Sequence, residues 1–540
     1  NNTLLTTLWL DEAQITTLDI SANTLLTDVR LNDAPLTSAI LDQLVIDLND
    51  NGQPNGNLQL NGTAENLTFN SYTAYNNLVT NGWTIDVSSP PAPNTKTIVL
   101  TTNSTLATWS PEHIINTGAT LKWSVSGGVT IPEVVADDPT LDLSGNTGVA
   151  TITITSDEAF AYLTYLVFDG TADLTSIDAT NATQLEAFNV RYSDITALDV
   201  STMPNLIYLT ARGNPNFAGP LDISNNTSLR TLLLDQTLLS SIDLSNNPEL
   251  SLVLLNDAQF TSDVLDKAVI DLDKHVVLNG TLGVANNAGG LTALSYTAYN
   301  NLIAKGWTID VAAPTVVAVS PKVFLQGPIL APTDAGLMND ILRAGGYLPT
   351  TSPYSDALTV DPTVFDAGGT SGTGLAADDI VDWVWVELRD KNDHTIVLDS
   401  RSALLQRDGP VVDLDGVSPL LMTGAADDYY VVVNHRNHLG IMSATTVALS
   451  ATPTVVDLTT GYAAVFGGMG AVTEVSPGIF AMFGGDYNED GQMNNTDLDG
   501  IYPLLGTAGY SNADMNMDIQ NNFTDFDGII YPNLGRGEQF

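Results

Sequence analysis

Residues 1–90 and 225–314 are one sequence present twice. At a constant offset of 224, without a gap, 46 of the 90 positions are identical. The shared blocks include LNDA (31–34 and 255–258), VIDL (45–48 and 269–272), SYTAYNNL (71–78 and 295–302) and GWTIDV (82–87 and 306–311). A duplication built on a shorter internal period commits a chain to stacked coils, because each coil is too small to bury its own apolar face and shares a core with its neighbours. Residue 1 aligns with Asn225, in the middle of the array, so further copies upstream are expected in the natural protein.

The shorter period is a leucine pattern. Leu5-x-x-Leu8-x-Leu10, Ile15-x-x-Leu18-x-Ile20 and Leu26-x-x-Val29-x-Leu31 follow one another in the first copy. The second array runs Leu185-x-x-Phe188-x-Val190, Ile195-x-x-Leu198-x-Val200, Leu206-x-x-Leu209, Leu229-x-x-Leu232-x-Leu234, Leu239-x-x-Ile242-x-Leu244 and Leu250-x-x-Val253-x-Leu255. Like half-repeats recur every 21 to 23 residues. The pattern resembles the leucine-rich repeat, in which leucines fill a continuous interior and one short strand per coil stacks on the next. Asn at a turn would satisfy backbone groups inside the coil, and it stands at Asn23, Asn214, Asn226 and Asn247; other coils carry Ala, Ser or Thr, so the ladder is incomplete. The pattern leaves open which half-repeat forms the strands.

Each array closes in the same way. Leu41, Leu44, Val45 and Leu48, and Leu265, Val269 and Leu272, have helical spacing. An Asn-Gly-x-Leu turn, a second helix over SYTAYNNL and a Gly-Trp-Thr-Ile strand follow. Trp83 and Trp307 are expected to cover the open end of the solenoid core, as terminal repeats require.

The expected fold class is multidomain and mainly β: leucine-rich-repeat solenoid segments with α/β caps, β-sandwich (Ig-like) domains and a small α-helical, dockerin-like C-terminal module. The expected divisions are repeats and cap at 1–90, a small β-domain at 91–160, repeats and cap at 161–314, a sandwich at 315–450, a β-rich connector at 451–484 and the terminal module at 485–540. A length of 540 residues suits about three to five domains. Pro-rich SSPPAPN (88–94) marks the first boundary. Alternation over 97–101, 120–125, 149–155, Val384–Leu388 and Tyr429–Val433 marks strands, and GGTSGTG (368–374) reads as a loop.

The C-terminus carries the sharpest chemical motif. Asp486, Asn488, Asp490, Gln492, Asn494 and Asp497 occupy positions 1, 3, 5, 7, 9 and 12 of a calcium loop, with Gly491 at the sharp turn. Asp514, Asn516, Asp518, Gln520, Asn522 and Asp525 repeat the spacing 28 residues later, and each loop leads into Thr-Asp-(Leu or Phe)-Asp-Gly-Ile. This pair resembles dockerin modules, duplicated loop-plus-helix units with Asp at position 12; the resemblance covers residues 485–540 and implies two Ca2+ ions. Ile519 replaces the loop glycine in the second copy. The positions that read a cohesin in dockerins fall on Asn495-Thr496 and Phe523-Thr524 and match no pairing code, so calcium carries over better than a cohesin partner.

Other chemistry is sparse. There is no Cys and only five His (113, 275, 394, 435 and 438), which removes disulfides, thiolate ligands and most nucleophile–base pairs. No nucleophile elbow, zinc helix or phosphate loop is present. His435 and His438 are three apart, which on a strand sets them on opposite faces. They read as structural, with Asp427-Asp428, Arg401 and Arg407-Asp408 expected to make buried polar pairs. Sixty-two acidic against 17 basic residues give a net charge of −45, unsuited to nucleic acid or anionic membrane. No run approaches the ~18 apolar residues of a membrane span.

Taken together, LDISANT, LDISNNT, IDLSNNP, KGWTIDV, the segment VDWVWVELRD…RSALLQRDG…YYVVVNHRNHLGIMS and the dockerin-like end resemble large surface proteins secreted by Bacteroidetes, commonly by the type IX route. The sorting tail which that resemblance implies is not evident at Gly537-Glu538-Gln539-Phe540. The implied role is a non-enzymatic extracellular scaffold at the outer cell surface, binding a protein partner in adhesion. A self-assembling filament or sheath subunit and an accessory chain of a surface nutrient-uptake or enzyme complex are the alternatives; a hydrolase fits least.

Overall fold

The computed structural model describes residues 2–92, 96–116, 120–156, 160–170, 173–368 and 376–540. The end of the Pro-rich boundary (93–94) and all but Gly368 of the expected 368–374 loop lie outside the described residues. The chain divides into two compact units, one of residues 1–290 and 298–312, the other of 291–297 and 313–540. Among the described residues no helix is long and apolar enough to cross a membrane.

The first unit has a leucine-rich-repeat fold. Strands Thr7–Trp9, Asp28–Arg30, Asn57–Leu60 and Thr84–Val87 pair in parallel, in chain order. In the second array Leu163–Asp169, Ala187–Arg191, Tyr208–Thr210, Thr231–Leu233, Leu252–Leu254, Thr281–Gly283 and Thr308–Ile309 do the same. The register explains the leucine spacing. Leu166, Phe188, Leu209, Leu232, Val253 and Leu282 are successive Cα partners, and all are buried, so each coil adds one side chain to a single apolar column. The strands come from the half-repeats containing Phe188, Leu209, Leu232 and Val253. The intervening half-repeats are turns whose Ile195, Val200, Leu239 and Leu244 close the other side of the core.

Asn226 and Asn247 form part of the asparagine ladder. Asn226 Nδ2 donates to the carbonyls of Val200 (3.0 Å) and Met203 (2.7 Å). Asn247 Nδ2 donates to those of Ile223 (2.9 Å) and Asn226 (3.0 Å). Both side chains are wholly buried, so Asn247→Ala strands two carbonyls. It should cost about 1–3 kcal/mol, read as a lower urea midpoint for the first unit; an unchanged midpoint would show that the ladder contributes nothing.

The caps follow the sequence reading. Helices Ser38–Asp50 and Ser262–Lys274 bury Leu41, Leu44, Val45 and Leu48, and Leu265, Val269 and Leu272. Trp83 and Trp307 are buried, and their Nε1 groups donate to the carbonyls of Gln53 (2.6 Å) and Val277 (3.0 Å). The Asn-Gly turn is explained by these indoles: Asn55 and Asn279 take left-handed φ of 56° and 57°, and any Cβ on Gly56 or Gly280 would overlap the indole.

The β-rich segment between the arrays has no sheet boundary at residue 160. Strand Leu174–Asp178 joins Thr97–Thr102, Ala150–Ser156, Leu121–Gly127 and Ile131–Val135 in one antiparallel sheet. His113–Asn116 pairs antiparallel with Leu163–Asp169. It covers the edge that the first coil of the second array would otherwise leave unpaired.

In the second unit, Ile380–Asp390 lies between Val397–Gln406 and Asp427–His435, with Val411–Val412 and His438–Met442 outside them. A second sheet holds Leu420–Thr423, Val316–Lys322 and Thr454–Asp457. Val317, Val319, Val384, Val386, Leu404 and Val431 share one core with Val472 and Met482 of the hairpin Val472–Ser476/Ile479–Met482 and with Met517 near the C-terminus. The expected connector and terminal module are thus packed into the same body as the sheets. In the terminal segment, helix Asn495–Ile501 and the composite helix Phe523–Asn533 follow the two loops. Thr524–Pro532 is one residue longer than Thr496–Pro503. The extra residue is taken up as a π-turn at Phe526–Ile530, which keeps Tyr502-Pro503 and Tyr531-Pro532 at equivalent helix ends.

Candidate functional site

The two C-terminal loops have one design. Asp486 accepts from the N–H groups of Asp490 (3.2 Å) and Gly491 (3.1 Å); Asp514 accepts from Asp518 (3.0 Å) and Ile519 (2.8 Å). Asp497 receives the N–H groups of Tyr487, Asn488 and Asn494, and Asp525 those of Met515, Asn516 and Asn522. The first and twelfth positions of each loop are therefore brought together, all four carboxylates buried. Burial, with the charges of Asp497, Asp490 and Glu538, pushes the Asp486 carboxyl up to about 7. Burial and Asp525 do the same to Asp514, also to about 7, and burial raises Asp525.

Not every expected ligand points inward. Asn494 and Asn522 are helix N-caps whose side-chain oxygens accept from Thr496 and Thr524, closing reciprocal capping boxes with Asp497 and Asp525. Position 9 of such loops commonly reaches the ion through a water, so the cap and the expected ligand role fall on the same side chain. Asn488 and Asn516 donate to Asp490 (2.9 Å) and Asp518 (3.0 Å). Gln492 lies against Gly537, and the Gln520 N–H donates to Asp518 (2.9 Å). Among the described residues no three His, Asp or Glu side chains converge closely enough to hold a metal unaided; each loop offers carboxylates with amide and backbone oxygens beside them. Buried carboxylates lacking a countercharge suit a hard, oxygen-seeking cation.

Ile519 at the glycine position takes φ +79°, an unfavourable conformation for a β-branched residue. Its side chain packs on the shared core and against Gly345, which offsets that strain. The same loop thereby anchors the terminal segment to the sheets.

A buried polar cluster completes the attachment. Asp382 accepts from Arg436 Nε (2.9 Å) and Tyr510 Oη (2.8 Å), with His435 Nε2 at 3.3 Å. Arg436 stacks over Tyr510 (4.3 Å) and donates to the Ser511 carbonyl. Asn437 Nδ2 donates to the carbonyls of Asn512 (3.2 Å) and Asp514 (2.9 Å). Burial opposes ionisation of Asp382, but Arg436, His435 and Tyr510 outweigh it and hold its carboxyl at about 2. Burial lowers His435 and lowers His438 further.

One expectation is corrected outright here and a second only in part. His435 and His438 are not on opposite faces: the chain turns between them, they are partners across the turn, and their rings lie 4.9 Å apart. Asp382 faces His435, whereas His438 meets His435 (3.2 Å) and Asn437 Oδ1 (2.7 Å). The buried Arg401 and Arg407 make ion pairs as expected, with Asp413 (2.6 Å) and Asp334 (2.8 Å), while Asp427 pairs with Lys391 (2.6 Å) at the surface. A cavity of about 380 Å³ lies nearby, lined by Trp385, Glu387, Arg389, Glu489 and Glu538 among others. Its carboxylates are engaged: Glu387 by Arg389 (2.7 Å), Glu489 by Asn512 (3.0 Å) and Glu538 by the Gly440 N–H (3.0 Å).

On the second array, the sheet face opposite the core carries the row Tyr165, Ala187, Tyr208, Thr231, Leu252 and Thr281. Beside it, Arg191 pairs with Asp169, Arg212 pairs with Asp235 (3.0 Å), and Arg212 stacks on the exposed Tyr192 (5.8 Å).

No family model matches the chain, and no curated protein matches it. Among solved structures, a leucine-rich-repeat protein of Leptospira interrogans is 13% identical, with 56% of this chain and 60% of that chain covered and a TM-score of 0.25. The functional domain of InlJ from Listeria monocytogenes, which includes a cysteine ladder, is 16% identical over 78% of this chain and 67% of that one (TM-score 0.23). A type II cohesin–X-dockerin complex from Acetivibrio cellulolyticus is 17% identical over 29% of this chain and 82% of that one (TM-score 0.19). The chain thus spans three-fifths of the Leptospira protein, and likenesses of this size assign neither family nor activity.

Proposed function

We propose that this protein is a non-enzymatic scaffold of the outer cell surface that binds a protein partner in adhesion, and that its C-terminal segment is a dockerin-like, calcium-dependent staple onto an Ig-like sandwich. The observation that carries the binding role is the sheet face of the second array, where Tyr165, Tyr192, Tyr208 and Arg212 stand together on a rigid support. Tyr and Arg on preorganised surfaces carry a large share of binding energy at protein interfaces. In the staple, Asp486, Asp490 and Asp497, with Asn488 and the backbone of Gln492, would hold one Ca2+; Asp514, Asp518 and Asp525, with Asn516 and the backbone of Gln520, would hold the second. The ions would supply the positive charge that the buried carboxylates lack.

The test is quantitative capture. The full chain and Tyr192→Ala/Tyr208→Ala are immobilised in parallel, exposed to extracellular protein fractions, and the retained proteins are measured. At least one protein should be retained by the wild type and reduced 30-fold or more by the variant, in line with losses of ~2 kcal/mol at such anchors. Identical retained sets would refute binding through this face.

A further inference from the structure

The two copies of the duplicated module carry different chemistry on the same support. Four inward strand residues are identical, Leu8 and Leu232, Val29 and Val253, Leu58 and Leu282, and Ile85 and Ile309, and the inward Leu60 is replaced only by Val284. Five of the outward ones are replaced, while Thr7 and Thr84 are kept as Thr231 and Thr308. Trp9, Asp28, Arg30, Asn57 and Gln59 stand where the second copy has Leu233, Leu252, Leu254, Thr281 and Gly283. A Trp with 57% exposure stands against a buried leucine, and a charged pair against two half-buried leucines.

The first copy's face is also held in place. Trp9 Nε1 donates to Asp28 (2.7 Å), whose other oxygen accepts from Asn57 Nδ2 (2.8 Å). The Arg30 guanidinium lies over the indole at 4.3 Å. Asn32 Nδ2 bridges Asp11 (3.0 Å) and Gln59 (3.2 Å). An exposed aromatic is thus fixed beside a row of carboxylate and amide groups whose rotamers are set by their neighbours, which removes much of the ordering cost of binding.

We propose that this sheet face of residues 1–90 is a binding site for a neutral polysaccharide. The indole face that Arg30 leaves uncovered offers an apolar platform to the C–H face of a sugar ring. Asp28, Asn57 and Gln59 offer the paired donors and acceptors that vicinal hydroxyls require. Parallel strands are spaced by ~4.8 Å, close to the length of one sugar ring, so a chain running across the strands meets a fresh set of polar groups at each ring. Asp11, Asp28 and Asp86 against the single Arg30, in a chain of net charge −45, disfavour an anionic glycan. Asp is depleted at protein interfaces, and Asp28 stands at the centre of this face, bonded to Trp9 and Asn57. The assignment does not depend on the protein-binding role given to the second array.

The test is affinity electrophoresis of the full chain in native gels containing amylose, hydroxyethyl cellulose, xylan or mannan. At least one polysaccharide should retard the wild type. Trp9→Leu/Asp28→Leu/Arg30→Leu reproduces residues that the second copy already carries on the same inward core, so its calorimetric melting should be unchanged while retardation weakens at least tenfold. Trp9→Ala gives a second reading should the triple variant misfold. No retardation of the wild type by any of the four, or equal retardation of wild type and Trp9→Ala, would overturn the proposal. Trp9-dependent capture of a protein without any retardation would overturn it in favour of a protein interface.

Discussion

Asp382→Ala should destabilise the second unit by about 3–5 kcal/mol, the cost of leaving a buried cation without its partner. Asp382 is fully buried and Arg436 nearly so. Truncation leaves that guanidinium without its hydrogen-bonded carboxylate, against the Tyr510 ring and the Ser511 carbonyl, and removes the acceptor of the Tyr510 hydroxyl. Because Arg436 and Tyr510 bridge the sheets and the terminal segment, release of residues 485–540 should precede unfolding of the sheets. Limited proteolysis after Tyr510 and the calorimetric transition of the second unit report this directly. The sign with pH follows from a carboxyl held at about 2: its stabilisation is complete above the ordinary carboxylate range near 4 and is lost as pH falls through about 2. The attachment should therefore survive mild acid in the wild type. Unchanged melting and protease resistance in Asp382→Ala would show that the apolar contacts of Met517 and Ile519 suffice alone.

Calcium should raise the melting temperature of the same unit at pH 7.5, with about 4 kcal/mol of stabilisation when free ion stands at ~1,000 times its Kd. The size should depend on pH in a defined direction. Asp486 and Asp514 are raised to about 7. In metal-free protein their contribution to stability is full below the unfolded carboxylate value near 4 and is lost as pH rises through about 7. Metal-free protein should therefore weaken across pH 4–7, while calcium, which binds the ionised form, gains most over the same window. The difference between calcium and chelator should be several degrees at pH 7.5 and small at pH 5. Asp490→Ala and Asp518→Ala, which leave the capping boxes intact, should each remove part of it. Equal melting with and without chelator at pH 7.5 would refute the paired-loop reading.

How much of this was legible in the sequence depended on how local the cause was. The leucine columns, the cap helices and the indole-bearing turns follow from spacings of a few residues repeated many times, so the one-dimensional pattern contains the packing. The two loop-plus-helix repeats at the C-terminus were legible for the same reason. The N-cap role of Asn494 and Asn522 was missed, although a Thr two residues on and an Asp three residues on were there as a capping signal. The face exchange at Trp9, Asp28, Arg30, Asn57 and Gln59 was visible in the aligned copies, but it acquired meaning only once the strand register separated inward from outward positions.

By itself the sequence determined that the chain contains a stacked, leucine-filled solenoid in two related arrays, because repetition leaves a coil no partner for its apolar face except the next coil. Only the tertiary structure decided that the intervening β-segment shares sheets with the second array, that Asp382 meets His435 and Arg436, and that the two C-terminal loops are built into the second unit. Those outcomes rest on contacts between residues far apart in the chain, such as His435 and Asp382 at 53 positions and Tyr510 and Asp382 at 128, where burial and charge pairing select one partner among 62 acidic residues and no spacing rule can.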